Sequence, residues 1–350
     1  MDNHSFQRLS ISIENLRFPL ILLIIMLHCY TSTVFQIPGH IYYFRAVYPF
    51  ALWLGETGVP AYFFISGLLL FYSKKTYEQK MRDRMHTLLV PYFFFNAVIL
   101  IGHLIPMLLG KPAMILGKDI SEYSFVDYIR AFWDRGDWAG GNGAPLLCPF
   151  WYIRNLMMLV ILSPIIYYII RYTKLLLPIV TGFLWINAFD SAYLLESITM
   201  FSIGAYFPIC GRNPIEILER YKVLFLLIFI SLFITDIAHT ITRIPYALRI
   251  HRLSLVANVF FLLWIGESLS KIHLYSAYLS KSAFFVFCIH YPLVLPLKTI
   301  FSRASSMPDI ILIGLYVAGV IIVAVSSIII YMILHKLFPK FLHLITGSRG

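Results

Sequence analysis

The stretch Ile310–His335 reads IILIGLYVAGVIIVAVSSIIIYMILH and contains no Asp, Glu, Lys or Arg. About 20 apolar residues suffice for a helix to cross the hydrocarbon core of a bilayer, so this stretch by itself predicts a transmembrane helix. Residues 18–44 and 85–110 form two further stretches without those four residue types. None of the three alternates polar and apolar residues as the strands of a membrane barrel do. The sequence therefore predicts an all-α polytopic membrane protein.

The composition of the whole chain supports the same prediction. Of its 350 residues, 59% are hydrophobic and 13% are charged, whereas soluble domains average about 45–50% and about 25%. This excludes a soluble enzyme and a disordered chain. The net charge of +11 comes from basic residues scattered between apolar runs. A nucleic-acid site needs them on one face, so no nucleic-acid partner is expected.

The apolar runs predict about ten transmembrane helices within a single domain that covers residues 1–350. No linker, internal repeat or low-complexity segment divides the chain. The predicted helices lie at residues 16–34, 47–72, 88–109, 150–171, 175–189, 193–210, 221–240, 248–267, 277–300 and 309–335.

The basic residues predict how the chain is oriented in the membrane. Five of them lie between the second and third helices, namely Lys74, Lys75, Lys80, Arg82 and Arg84. By the positive-inside rule this loop is cytoplasmic. The long connection at residues 110–149, in which acids outnumber bases, is then extracytoplasmic, and both termini are cytoplasmic.

Ionisable side chains at membrane depth indicate either a functional site or a structural pair. Arg17 and His28 are eleven residues apart, which is three helical turns plus about 20°, so they share one helix face about 16 Å apart. An imidazole titrates near neutral pH and is suited to proton transfer. Asp236 and Glu267 lie near the ends of predicted spans, where snorkelling or interfacial water explains them.

Three other motifs have an ordinary structural explanation as well as a functional one. Ser66 and Gly67 allow two helices to approach closely, and Trp151 with Arg154 forms an aromatic belt with a snorkelling arginine. Pro292 kinks the helix beside His290. The cysteines show no metal-ligand spacing, so no metal is expected.

Four stretches, in this order along the chain, resemble the acyltransferase-3 family of multi-pass membrane O-acyltransferases of bacterial surface carbohydrates. They are Glu14–Arg17 with His28, FFISG at residues 63–67, the basic segment from Arg82 to Pro91-Tyr92, and LSKS at residues 279–282 leading to IHYP at residues 289–292. The family usually has Asp in place of Glu14 and Gly in place of Asn15. The usual Tyr of the late motif is replaced around residues 285–287.

The resemblance implies transfer of an acyl group, usually acetyl, from cytoplasmic acyl-coenzyme A to a hydroxyl of a cell-surface or lipid-linked carbohydrate. The location would be the bacterial cytoplasmic (inner) membrane, with membrane lipids around the protein. Acyl-coenzyme A is a donor substrate, and no tightly bound cofactor is expected. His28 would be the general base, with a transient acyl-His as the covalent variant, and Arg17 would share its site.

The expected substrate-binding residues come from the same stretches: Glu56, Ser66, Arg82, Arg84, Trp151, Arg154 and His290. Arg82 and Arg84 suit the phosphates of the donor, although topology and anionic lipid would also explain them. Arg17 is either a ligand of phosphate or carbonyl groups or a structural partner of Glu14 or Glu56.

One group of basic residues breaks the charge rule on the outer side, namely Arg243, Arg249 and Arg252. The hypothesis is that this rim recognises an anionic glycan or a lipid-linked sugar phosphate, and the alternative is contact with lipid headgroups. Two other function classes are a transporter or flippase for a lipid-linked sugar and a receptor-like membrane protein. The first would usually show internal repeats, and the second leaves Arg17, His28 and Glu56 unexplained.

Overall fold

A computed structural model describes most of the chain as α-helix. The described residues are 3–31, 40–115, 118–134, 143–188, 192–242, 247–271 and 276–348. Over these residues the α-helices are α1 (Asn3–Thr31), α2 (Ile41–Tyr48), α3 (Gly58–Tyr72), α4 (Tyr77–Arg84), α5 (Val90–Leu108), α6 (Phe125–Ala131), α7 (Trp151–Ile161), α8 (Ser163–Thr173), α9 (Leu176–Asn187), α10 (Tyr193–Ile209), α11 (Pro214–Arg220), α12 (Lys222–Thr242), α13 (Ala247–Lys271), α14 (Ala277–Ala304), α15 (Asp309–Leu337) and α16 (Pro339–Ile345).

The all-α prediction is confirmed, and the described residues contain six helical segments long and apolar enough to span a membrane. These are Arg8–Tyr30, Ile41–Tyr72, Tyr77–Leu108, Leu248–Ser270, Ala277–Ala304 and Asp309–Leu337. Two interrupted pairs, α7 with α8 and α10 with α11, raise the number to eight if each pair counts as one span. The count of ten and the cytoplasmic placement of both termini stay predictions.

The chain divides into two compact units, and the division leaves the single-domain prediction untested. The first comprises residues 1–74 and 163–332, and the second comprises residues 75–162 and 333–350.

Glycines set the close helix contacts of the first unit. A Cβ on Gly67 of α3 would lie 3.0 Å from the carbonyl carbon of Phe201 in α10 and closer still to its oxygen. A Cβ on Gly204 of α10 would meet the Phe64 carbonyl of α3 in the same way. A Cβ on Gly266 of α13 would lie 2.7 Å from the backbone oxygen of Ser12 in α1. Helices in membranes associate largely through such close packing, because lipid offers no hydrophobic drive.

The second unit contains an ordered part of the long predicted loop. Strands β1 (Met114–Ile115) and β2 (Lys118–Asp119) pair antiparallel, and a small apolar cluster that includes Ile115 packs against α5. Ser124 and Asp127 form a capping box at the start of α6. Hydrogen bonds from the Ser124 backbone and hydroxyl, then from Lys118, lower the pKa of Asp127 to about 2.

Candidate active site

The predicted base, His28, lies against the late motif of the chain. The centroid of its ring is 5.2 Å from that of His290 and 5.1 Å from that of Tyr291, both in α14. His28 is half-buried near the end of α1, whereas His290 is fully buried. Two stretches singled out separately in the sequence therefore form one site within the first unit.

The hydrogen bonding of His290 fixes its tautomer. Its Nδ1 lies 2.7 Å from the backbone oxygen of Phe287. A carbonyl only accepts, so Nδ1 carries the proton and Nε2 keeps a lone pair. This Nε2 is buried and has no hydrogen-bond partner among the described residues. The site thus contains an unprotonated, buried imidazole nitrogen on a ring whose centroid lies 5.2 Å from that of His28.

Arg17 lies on α1, about three helical turns before His28. Its side chain is exposed, and its backbone oxygen accepts a hydrogen bond from the Tyr62 hydroxyl at 2.6 Å. The alternative in which Arg17 pairs with Glu56 finds no support among the described residues, because Glu56 contacts His251. Among the described residues no ion pair joins Arg17 to Glu14.

The second span is interrupted next to Glu56. A π-helix, Pro49–Leu54, gives way to a 3₁₀ turn, Gly55–Thr57, before α3 begins. Asn258 of α13 supports this interruption, since its Nδ2 donates to the Trp53 carbonyl at 3.1 Å and to the Thr57 hydroxyl at 3.0 Å. The interruption also lies tightly against α1, because a Cβ on Gly55 would be 3.0 Å from the Leu23 carbonyl oxygen and 3.3 Å from Leu27.

Glu56 belongs to a buried carboxylate–imidazole–carboxylate triad, the group Glu56–His251–Asp236. The Nε2 of His251 is 2.7 Å from Oε2 of Glu56, and its Nδ1 is 2.9 Å from Oδ2 of Asp236. The three side chains come from the 3₁₀ turn, α13 and α12. Asp236 is inaccessible, whereas the Glu56 side chain is 36% exposed.

The geometry of the triad determines its charge. Both nitrogens of His251 face a carboxylate oxygen at hydrogen-bond distance, so each contact needs its own proton. Either an imidazolium lies between two carboxylates, or a neutral imidazole lies between a carboxylate and a carboxylic acid. Both arrangements carry a net charge of −1. The triad is therefore an anionic group that presents Glu56 at its exposed end.

Arg252 and Glu196 lie beside the triad. The Arg252 guanidinium donates to the backbone oxygens of Trp185 and Ala188, the latter at 2.7 Å, and is buried. It thereby closes the C-terminal end of α9. Glu196 is buried in the first turn of α10 and interacts electrostatically with Glu56, His251 and Arg252.

The structure corrects two predictions for acids near span ends. Asp236 and Glu267 were attributed to snorkelling, yet both are buried. Glu267 is paired with Arg8, which also reaches Glu219 at 2.9 Å. The sequence did not link Asp236 to His251. Helices α12 and α13 follow one another closely in the chain, so residues within about two helical turns of their junction can meet, and this was the available signal.

The outer basic rim is also corrected in part. Arg252 is buried against backbone carbonyls and does not present its charge to a glycan. Arg249 is exposed in the first turn of α13, and Arg243 lies outside the described residues. The predicted rim therefore does not present Arg252 beside Arg249 to a ligand.

The predicted substrate-binding residues of the second unit fall into two groups. Arg154 is buried, donates to the backbone oxygens of Trp133 at 2.6 Å and of Gly143, and lies over the Trp133 ring. Trp151 is also buried. Arg154 thus holds two parts of the long connection together. Arg82, by contrast, is exposed at the end of α4, and Arg84 is half-exposed.

In the first unit, Ser66 is half-buried within α3. Its neighbour Gly67 is in the close contact with α10 described above, which is the packing explanation of this motif. No group of three or more His, Cys, Asp or Glu residues suited to a metal ion occurs in the part of the chain that the structure describes.

Comparisons with known proteins cover nearly the whole chain. A family profile described as an acyltransferase domain matches residues 10–332. The succinoglycan biosynthesis protein ExoH of Rhizobium meliloti (strain 1021) is 24% identical over 316 residues, which are 85% of this chain and 82% of the relative. No solved structure gives a significant match.

Proposed function

The chain belongs to the acyltransferase domain family and is an acyltransferase, and on that premise we propose the reaction. An acyl group, acetyl in the first instance, moves from cytoplasmic acyl-coenzyme A to a hydroxyl of a cell-surface or lipid-linked carbohydrate. The relative ExoH is named for succinoglycan biosynthesis, and this supports a carbohydrate acceptor. The bacterial inner membrane is the location that suits a cytoplasmic donor and a surface glycan.

The observation that carries the proposal is the contact of His28 with His290 and Tyr291. A sugar hydroxyl is a weak nucleophile and needs a base as it attacks the thioester carbonyl. In the proposed step His28 takes the hydroxyl proton, the new ester bond forms, the carbon–sulfur bond breaks, and the proton passes to the departing thiolate of coenzyme A. His290 and Tyr291 hold the His28 ring in place.

Donor binding is assigned to the basic segment of the second unit. Arg82 and Arg84 occupy the last turn of α4, where a cation is also favoured by the helix dipole. Arginine binds phosphate through two parallel hydrogen bonds, so these residues suit the phosphates of coenzyme A. Contact with anionic lipid is the alternative role for this segment.

The experiment that tests the proposal measures label transfer from radioactive acetyl-coenzyme A to membrane glycans by purified protein in nanodiscs. His28→Ala should lower transfer by about 10²–10⁴-fold, the usual contribution of a general base. His103→Ala is the matched control, because His103 is also half-buried in an apolar helix, and its Nδ1 donates only to the Ile99 carbonyl of its own helix, at 2.8 Å.

Two outcomes would contradict the proposal. If His28→Ala kept most of the activity while His103→Ala behaved like wild type, His28 would not be the base. If the wild-type protein moved a lipid-linked sugar across the membrane and left the acetyl label on coenzyme A, the transporter alternative would replace the acyltransferase.

A further inference from the structure

Two oxygens of the triad Glu56–His251–Asp236 receive no hydrogen bond from the described residues. In Glu56, Oε2 is held by His251, and none of the described residues donates to Oε1. In Asp236, Oδ2 is held by His251, and Oδ1 is buried without a partner among the described residues. Because Asp236 is inaccessible, a ligand can meet only the partly exposed carboxylate of Glu56, and it must supply a hydrogen-bond donor there, such as a hydroxyl group.

The charges around the triad define the class of ligand further. The triad carries a net charge of −1, and the buried carboxyl group of Glu196 lies nearby. The guanidinium of Arg252 keeps its charge, but it is buried and donates to the backbone oxygens of Trp185 and Ala188. An anionic sugar such as a uronic acid, bound directly at Glu56, would place its carboxylate against the Glu56 carboxylate. An uncharged sugar meets only hydrogen-bond acceptors.

The position of the triad links it to the proposed reaction. Gly55, adjacent to Glu56, packs on Leu27, adjacent to His28. The 3₁₀ turn that carries Glu56, and that Asn258 supports, therefore contacts α1 one residue away from His28, the predicted base.

We propose that Glu56 binds hydroxyl groups of an uncharged sugar residue of the acceptor, and that His251 and Asp236 are positioning residues that fix the Glu56 carboxylate. This inference rests on the proposed acyl transfer to a carbohydrate and adds the chemical class of the accepting residue. It replaces the exposed basic rim as the site of acceptor recognition.

The test has two measurements on full-length protein in nanodiscs with radioactive acetyl-coenzyme A. In the first, glycans extracted from producing cells are labelled and hydrolysed, and the sugar that carries the label is identified by mass spectrometry. An uncharged sugar is expected, and a labelled uronic acid would overturn the inference. A wild-type protein that labels no glycan overturns the acyltransferase proposal itself, which is a separate failure.

The second measurement compares the KM values for acceptor and donor in variants. A hydrogen bond to a charged group contributes about 1.5–3 kcal/mol, so Glu56→Gln should raise the acceptor KM roughly ten- to hundredfold with an unchanged donor KM. His251→Gln should act in the same direction, and Glu56→Asp, which keeps the charge, should recover part of the loss. Thr235→Val, next to Asp236, is the control, because the Thr235 hydroxyl donates only to the Ser231 carbonyl of its own helix.

The variants test the role of Glu56 and the positioning role of His251 separately. An acceptor KM like that of wild type in folded Glu56→Gln would overturn the inference. Equal rises of the acceptor and donor KM values in His251→Gln, or loss of folded protein in that variant alone, would assign His251 a merely structural role and would overturn the positioning part. A folded state is judged by a single symmetric peak in size-exclusion chromatography.

Discussion

Replacing Gly67 with alanine tests the helix contact on which the first unit is built. A Cβ at this position would lie 3.0 Å from the Phe201 carbonyl carbon and 3.2 Å from the Ala205 nitrogen, and closer to the Phe201 oxygen. The obstacles are backbone atoms of α10, which no side-chain rotation can move. Helices α3 and α10 must therefore separate.

The contact is reciprocal, because Gly67 of α3 packs on the backbone of α10 and Gly204 of α10 packs on the backbone of α3. The loss of stability therefore depends on how far the two helices must separate. A gap of about 0.5–1 Å already forfeits a quarter to a half of the van der Waals attraction across a packed surface. Overpacking in a well-packed interior costs about 1–3 kcal/mol, which for a chain of 350 residues corresponds to a decrease in apparent Tm on the order of 1–4 °C. Gly204→Ala should give a similar decrease. The double variant should cost less than the sum, because the first alanine already separates the helices.

The assay is thermal unfolding of the detergent-solubilised protein, followed by tryptophan fluorescence. Gly314→Ala is the control, because Gly314 is also within an α-helix but a Cβ there meets nothing within 4 Å. Alanine is the better helix former, so Gly314→Ala should leave the Tm unchanged or raise it slightly. If Gly67→Ala unfolded at the same temperature as Gly314→Ala, the close contact of α3 and α10 would be refuted. An altered substrate KM with an unchanged Tm would instead favour substrate binding by this motif.

Three further predictions concern the second unit. A cysteine placed at Gly143 should react with a membrane-impermeant maleimide added to the outside of intact cells, and labelling only after lysis would reverse the predicted orientation. Changing Arg82 and Arg84 to Gln should raise the KM for acyl-coenzyme A and leave kcat nearly unchanged, as expected when uniform binding is lost; a lower kcat at an unchanged KM would contradict donor binding. Ser124→Ala should raise the pKa of Asp127 from about 2 towards its ordinary value of 3.8, measured by carboxyl NMR, and an unshifted pKa would refute the capping box. Since the folded state lowers this pKa, the stabilisation is fully present above about pH 4 and is lost as the pH falls through about 2.

Hydrophobic runs predicted where most helices lie but not how they begin or break. The first helix starts at Asn3, well before the predicted residue 16, because Leu9 and Ile13 are buried on its inner face and extend it as an amphipathic segment. The 3₁₀ turn at Gly55–Thr57 was not predicted, although the stretch Gly-Glu-Thr-Gly at residues 55–58 interrupts the apolar run there. The residue that stabilises it, Asn258, is remote in the chain.

The candidate site was also predicted only in part. His28 and His290 were recognised by residue type and motif, and the structure joins them. Asp236 and His251 were not recognised as a pair, because Asp236 was assigned to the end of a span and judged alone. Membrane depth is a property of one residue, whereas an ion pair between helices depends on how two helices meet. The contact between α12 and α13 in the fold brings Asp236 and His251 together, and the pattern of the sequence does not show this contact.

Buried arginines in this protein bind backbone oxygens, and this changes how its charges are assigned to ligands. Arg154 and Arg252 were both expected at a ligand, and each instead donates to two carbonyl groups at the end of a segment. A guanidinium with five donors can satisfy such carbonyls where water is scarce. Of the charged residues predicted at the site, Arg17, Arg82, Arg84 and Glu56 are the ones whose side chains stay at least partly exposed. In the proposed reaction, exposed arginines would bind the phosphates of the donor, and the Glu56 carboxylate would accept hydrogen bonds from hydroxyl groups of an uncharged sugar.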